Sequence, residues 1–232
     1  MERRIANFWC IAVLLAAVLI RLAIAWYNTE ANDNHLEVIQ LLMKGEFPIV
    51  GSCWQCYHPK LFHLIGAAVL TLFEITDPLL QWRGIQLLNV LLSTGTLIYL
   101  FLFLAGEERY APWNFIAFLL IAFNPKFAGI SAQATNDTLV ILASTAFFFH
   151  SWRWLCGNWK HRIPMAIAAG VAMAAKGSGL AIVLLLCIVL AVKFLLERKE
   201  MKRRDFFRWI GIAFLLLLMI SVASLSGYYQ NG

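Results

Sequence analysis

The chain has 232 residues, of which 61% are hydrophobic and only 14% charged, and its mean hydropathy is +0.73. Those values exclude an ordinary soluble domain and describe a protein that lives in a membrane. The net charge of +6 is gathered in "MERR", "SWRWLCGNWKHR" and "ERKEMKRRDFFR". Lys and Arg beside a membrane face anionic lipid, so these clusters imply membrane lipid as a partner and no nucleic acid.

Apolar runs recur at 7–26, 61–76, 84–104, 111–124, 136–155, 163–175, 178–196 and 206–226. A helix that crosses a bilayer needs about 20 apolar residues and must satisfy its own backbone. The pattern therefore predicts an all-α, polytopic transmembrane bundle of about 7–8 apolar helices, with 1–232 forming a single transmembrane module. The runs at 61–76, 111–124 and 163–175 are short enough to be tilted, re-entrant or interfacial. The first run follows Met1-Glu2-Arg3-Arg4 as a signal peptide would, but it is long for one and "IRLAIAWYN" lacks a small-residue cleavage site. It reads as an uncleaved first helix.

Basic loops stay cytoplasmic. With Arg3 and Arg4 inside, residues 27–60 become a first outer loop. Counting back from the basic segments after 196 and at 151–162 places "KGSG" outside, together with a second outer loop at 125–137. The two halves agree only if one of the three runs between 60 and 125 does not cross. The run at 61–76 is the best choice, being short and carrying His63, with failure of 111–124 as the alternative.

Within the first outer loop, Asp33, Glu37, Gln40 and Lys44 recur at helical spacing opposite Leu36, Ile39, Leu42 and Met43. That is the pattern of an amphipathic interfacial helix, which Asn32 or Asp33 could cap and Gly45 could end. For Glu37, Gln40 and Lys44 the plain reading is a solvated polar face; Asp33, beside His35, stands apart as the first acid of that helix. Further on, Cys53 and Cys56 have C-x-x-C spacing. On an extracytoplasmic face the default is a structural disulfide; a zinc site made with His58 and His63 is the alternative. Cys10, Cys156 and Cys187 read as packing residues.

In the second outer loop Lys126 and Asp137 lie just before a span. Thr135, Asn136 or Asp137 could simply cap the helix that begins there, and the sequon Asn136-Asp137-Thr138 is discounted because it abuts the membrane. Lys176, in "MAAKGSGLAIV", interrupts two apolar runs. A charge at such depth costs about 2.5–3.5 kcal/mol and is seldom left unpaired. It either snorkels to the surface or binds an anion such as phosphate. On this topology Asp33, His35, His58, Lys60, Lys126, Asp137 and Lys176 all converge on one face of the bilayer.

"ANDNHLEVIQLLMKGEFP" after a first span, then "CWQCYHPKLFHLIGA", "FNPKFAGISAQATNDTLVILAS" and "GVAMAAKGSGLAIVLLLCIV", resembles in that order the N-terminal module of GT-C-fold membrane glycosyltransferases, protein O-mannosyltransferase-like and aminoarabinose-transferase-like. The resemblance implies transfer of a sugar from a polyprenyl-phosphate carrier to a protein, lipid or glycan acceptor outside the cytoplasm. It implies a bacterial plasma membrane with the site on its periplasmic face, or an endoplasmic reticulum membrane in a eukaryote. Asp33 and Asp137 look like the acids of the two outer loops. Lys60 in "HPKL" and Lys176 look like carrier-phosphate contacts, with His35, His58 and Lys126 as further substrate-binding candidates. A magnesium or manganese ion bridging the aspartates to phosphate would suit these hard oxygen ligands, though no spacing demands one. Two departures stand out: Asn34 occupies a position where many relatives carry a second acid, and the chain ends at Gly232 where relatives continue. Competing readings are a transporter or permease, a thiol redox protein using Cys53 and Cys56, and a noncatalytic membrane subunit.

Overall fold

The computed structural model describes residues 2–29, 35–105, 111–197 and 211. Asp33, Asn34 and the proposed helix cap, the 106–110 loop, the run at 206–226 apart from Gly211 and nearly all of the last basic cluster lie outside the described residues. Every described element is helical: α1 (Glu2–Tyr27), α2 (His35–Met43), α3 (Leu61–Leu72), α4 (Pro78–Ala105), α5 (Ala111–Ala122), α6 (Pro125–Ser131), α7 (Asp137–Leu155), α8 (Arg162–Ala175) and α9 (Leu180–Glu197), with short 3₁₀ turns at Trp159–His161 and Gly177–Gly179.

Among the described residues, three segments are long and apolar enough to cross a membrane: Phe8–Tyr27, Pro78–Leu104 and Gly177–Glu197. A fourth is formed if α5 and α6 are one broken span, bent by 52°. On length and composition the described residues thus supply three or four of the expected seven or eight spans. At 1.5 Å per residue the 12 residues of α3 reach only about 18 Å and the 14 of α8 about 21 Å, short of a hydrocarbon core about 30 Å thick. The 19 residues of α7 are diluted by His150, Arg153 and two tryptophans.

The α5–α6 bend has a local cause. Pro125 bars the α conformation at Asn124, which sits at φ −59° and ψ 119°, and the Asn124 side chain then accepts the Phe127 N–H at 2.9 Å to start a new helix. The segment 125–137, expected as a second outer loop, is therefore helix α6 over Pro125–Ser131. At the end of α2, Gly45 at φ +78° allows the chain to turn back. The N–H groups of Gly45 and Glu46 then reach Leu42 and Leu41 carbonyls at 3.0 Å each.

Two ends of the bundle are defined by contacts. At one end α2, α3, the start of α7 and the end of α8 share an apolar cluster of Ile39, Phe62, Ala67, Leu70, Ile85, Ala134, Leu139 and Ala175. At the far end Tyr99 meets His150, the His150 and His161 rings touch at 2.7 Å, and Lys193 pairs with Glu197 at 2.6 Å beneath Trp154 and Trp159. Exposed Trp26, Tyr27 and Trp54 ring the first end, and exposed Trp9 and Trp113 the second, as interfacial belts do.

Polar residues of α4 stitch the first end together. Arg83 donates to the Ala25 carbonyl, to Asn28 O at 3.2 Å and to Gln86 Oε1 at 3.0 Å. Gln86 donates to Asn28 O and Ala132 O, and Asn89 to Gln133 O and Thr135 O. The carbonyls freed where α1 ends and where α6 gives way to α7 are satisfied from one helix face, as irregular backbone in an apolar setting requires. For the same reason α4 begins at Pro78, ahead of the apolar run at 84–104: its polar first turns are paired inside the protein.

Candidate functional site

Two chain breaks meet at the first end. Residues 132–136 separate α6 from α7, and Lys176 with the Gly177–Gly179 turn separates α8 from α9. Lys176 is extended at φ −158° and ψ 148°, leaving its stem free to reach sideways. Its ammonium donates to Asp137 Oδ1 at 2.5 Å, with both side chains about a quarter to a third exposed, at 24% and 34%. Beneath this pair the Asn136 amide donates to the Ala175 carbonyl at 3.2 Å, fully buried, so the breaks are tied by backbone as well as by charge. The first turn of α7 is capped by Thr135 Oγ1, which accepts the Asp137 N–H at 3.3 Å; Asn136, at the cap position, makes no capping bond through its side chain.

The close approach of α8 to the 3₁₀ turn depends on Gly179. A Cβ there would fall 2.0 Å from the Ala172 carbonyl oxygen and 2.6 Å from the Met173 nitrogen. Only a residue without a side chain lets the chain reverse so tightly after Lys176.

The α2–α3 layer supplies a second cluster. The apolar face of α2 turns inward and carries His35 with it, and α3 presents His63; both rings are fully buried. His35 Nδ1 and His63 Nε2 lie 2.9 Å apart, so one ring donates to the other. Burial, then His35, Lys60 and His58, push His63 from the usual imidazole range down to about 3, which keeps it neutral. His58 stacks on Tyr57, centroids 4.1 Å apart, and lies 5.6 Å from His35. The Lys60 ammonium donates to the Cys56 carbonyl, and burial lowers its pKa.

Cys53 and Cys56 form a disulfide, with Cys56 buried against the Ser52 hydroxyl. The zinc alternative fails on this point, since both sulfurs are used, and among the described residues no group of three His, Cys, Asp or Glu converges as a metal site. Other expectations are corrected. Gln40 is not simply solvated but donates to Gln81 Oε1 at 2.9 Å across to α4. Cys156, in the turn that follows α7, and Cys187 on α9 are exposed rather than packed.

Of the predicted site residues, Asp137 and Lys176 are brought into contact, and His35, His58 and Lys60 gather around His63. Lys126 lies exposed on the first turn of α6 with no ion pair recorded among the described residues, and Asp33 is outside the described set. Sequence reasoning passed over Arg83, Gln86 and Asn89, whose i, i+3, i+6 spacing within an apolar run was the available signal. It also passed over Arg21, fully buried in α1 and bonded to the Ala17 and Ala122 carbonyls at 3.0 and 2.9 Å. Compared with known proteins, the chain matches no protein-family description, no curated protein and no solved structure.

Proposed function

We propose that this chain is a GT-C-type glycosyltransferase module that moves a sugar from a polyprenyl-phosphate carrier to an acceptor at the non-cytosolic membrane surface. The observation that carries the reading is the 2.5 Å contact of Asp137 with Lys176, reached from two separate helix breaks 39 positions apart in the chain. A carboxylate and an ammonium at an interfacial break are the groups that displacement of a lipid phosphate needs.

In an inverting single displacement the acceptor oxygen attacks the anomeric carbon and its proton passes to a carboxylate. The bond from that carbon to the phosphate oxygen breaks, and the phosphate departs with the electron pair. Asp33 is the base in this scheme, with Asp137 assisting. Lys176 neutralises the departing phosphate, and Lys60 and Lys126 offer further charge from the adjoining loop and helix. His35 is fully buried against His63 and so acts on substrate only through that partner; His58, half-buried, has the better access. The site occupies the outer face of a plasma membrane, and the shorter helices α7 and α8, with the apolar run at 206–226, bring the four spans to seven crossings within a bundle.

The test is transfer from a set of polyprenyl-phosphate sugars by the purified chain in lipid nanodiscs, paired with mass spectrometry of copurifying lipid. Carrier-dependent transfer that disappears in Asp33→Asn and Lys176→Gln is expected. Absence of any copurifying or added carrier binding under gentle extraction refutes the reading. The 52° bend between α5 and α6 favours a transporter as the second reading, because broken helices also line substrate paths. Solute uptake by proteoliposomes free of carrier would decide for it.

A further inference from the structure

Asp137 and Lys176 are unequal partners. The carboxylate sits on a short stem at the first residue of α7, its own N–H held by Thr135 Oγ1 and its Oδ2 3.5 Å from that hydroxyl. The ammonium ends a four-carbon stem that leaves an extended residue between α8 and a glycine-flanked turn. Both groups are partly open to the surroundings. The base of the break does not depend on their pairing, because Asn136 fastens Ala175 independently. The ammonium can therefore swing while the carboxylate stays.

We infer that the Asp137 carboxylate and a lipid-borne phosphate compete for the Lys176 ammonium, so the observed ion pair is the resting state of the phosphate site and opens when the carrier arrives. This rests on the proposed function, which places carrier phosphate at Lys176. Two anions crowded on one ammonium repel each other across a site that is only partly solvated. As the phosphate takes the ammonium, the carboxylate loses its partner. It is left at the N-terminus of α7, where the helix dipole supports it. Among the described residues no other cation pairs with Asp137, so the exchange leaves that acid free to accept a proton or a hydroxyl. The carboxylate is masked while the site is empty and unmasked when the leaving group is in place.

The consequence runs against the usual expectation for a site residue: removing the Asp137 charge tightens carrier binding while it impairs transfer. Farnesyl phosphate, a short carrier analogue, is titrated by calorimetry into the full chain in nanodiscs, with farnesol and inorganic phosphate as separate arms. Partly exposed pairs of this kind correspond to a roughly 1.5- to fivefold change in affinity. Asp137→Asn is expected to bind farnesyl phosphate more tightly by about that factor, and Asp137→Ser, which keeps a neutral side-chain oxygen at that position, does the same. Lys176→Gln loses saturable binding, with or without Asp137→Asn. Unchanged or weaker binding by both Asp137 variants overturns the inference, and means that the carboxylate orients the ammonium for the phosphate. Equal binding by wild type and Lys176→Gln overturns the functional reading as well, since the phosphate then sits elsewhere. Equal affinity for inorganic phosphate would overturn the assignment of a lipid-borne ligand.

Discussion

Gly179 offers the sharpest test of how the break at Lys176 is built. A methyl group at this position would lie 2.0 Å from Ala172 O, 2.3 Å from the Ala172 carbonyl carbon and 2.6 Å from Met173 N. These are backbone atoms of α8, so no rotamer change relieves the clash. Restoring ordinary contact demands that α8 and the start of α9 separate by about 1 Å or more, in an interface where packing faults of one methylene already matter. Overpacking in a well-filled core costs typically 1–3 kcal/mol and more when backbone must move, so Gly179→Ala should cost about 3 kcal/mol. For a chain of this size that corresponds to a fall of roughly 6–12 °C in thermal midpoint. The matched control lies in the same 3₁₀ turn: a Cβ on Gly177 meets nothing within 4 Å, so Gly177→Ala should stay within about 0.5 kcal/mol of wild type. Both variants are followed by thermal unfolding in one detergent, with tryptophan emission as the signal. Equal midpoints for the two alanine variants would falsify the close α8–turn contact and, with it, the geometry that aims Lys176 at Asp137.

Two further outcomes follow from buried polar groups. His63, held near 3 in the folded protein, has an unfolded value of about 6.5. Between these values the unfolded chain carries a proton that the folded one lacks, so stability present above pH 6.5 falls on acidification, by up to about 1.4 kcal/mol per pH unit. His63→Gln should flatten that dependence of the thermal midpoint, and an unaltered slope counts against a buried neutral imidazole. Arg21 donates from one nitrogen to carbonyls of both α1 and α5 and lies 4.7 Å over the Phe127 ring. Lysine lacks the planar guanidinium that lies on the Phe127 ring while one of its nitrogens donates to both carbonyls, so Arg21→Lys should lose about 1–2 kcal/mol and increase labelling of a cysteine placed at Lys126. Wild-type stability and labelling in that variant would remove Arg21 as the clamp on the α5–α6 bend.

What could be read from the chain differs between its apolar and its polar residues. Helix positions were legible because membrane-length apolar runs such as 7–26 have few alternatives once every backbone amide must be paired. The shortness of the 61–76 run was legible too, and α3 realises it with only 12 residues, fewer than a span needs by length. The extent of α4 was not: Gln81 and Arg83 look like the end of a span until Ile75 O, Ala25 O and Asn28 O are seen to receive them. Those acceptors come from residues up to 58 positions away, and no local pattern encodes such a partner. The same limit applies at the site. Composition and spacing single out Asp137 and Lys176 as costly charges near helix ends, so that each needs a partner. They do not say that each is the other's partner, because that depends on the Asn136–Ala175 bond and on a glycine that lets α9 start against the Ala172 carbonyl. An unpaired charge in a sequence of this kind thus gives the demand, and tertiary structure chooses the supplier. Where the supplier is a mobile lysine opposite a fixed carboxylate, the choice is reversible, and that reversibility is the property a phosphate-bearing lipid could use.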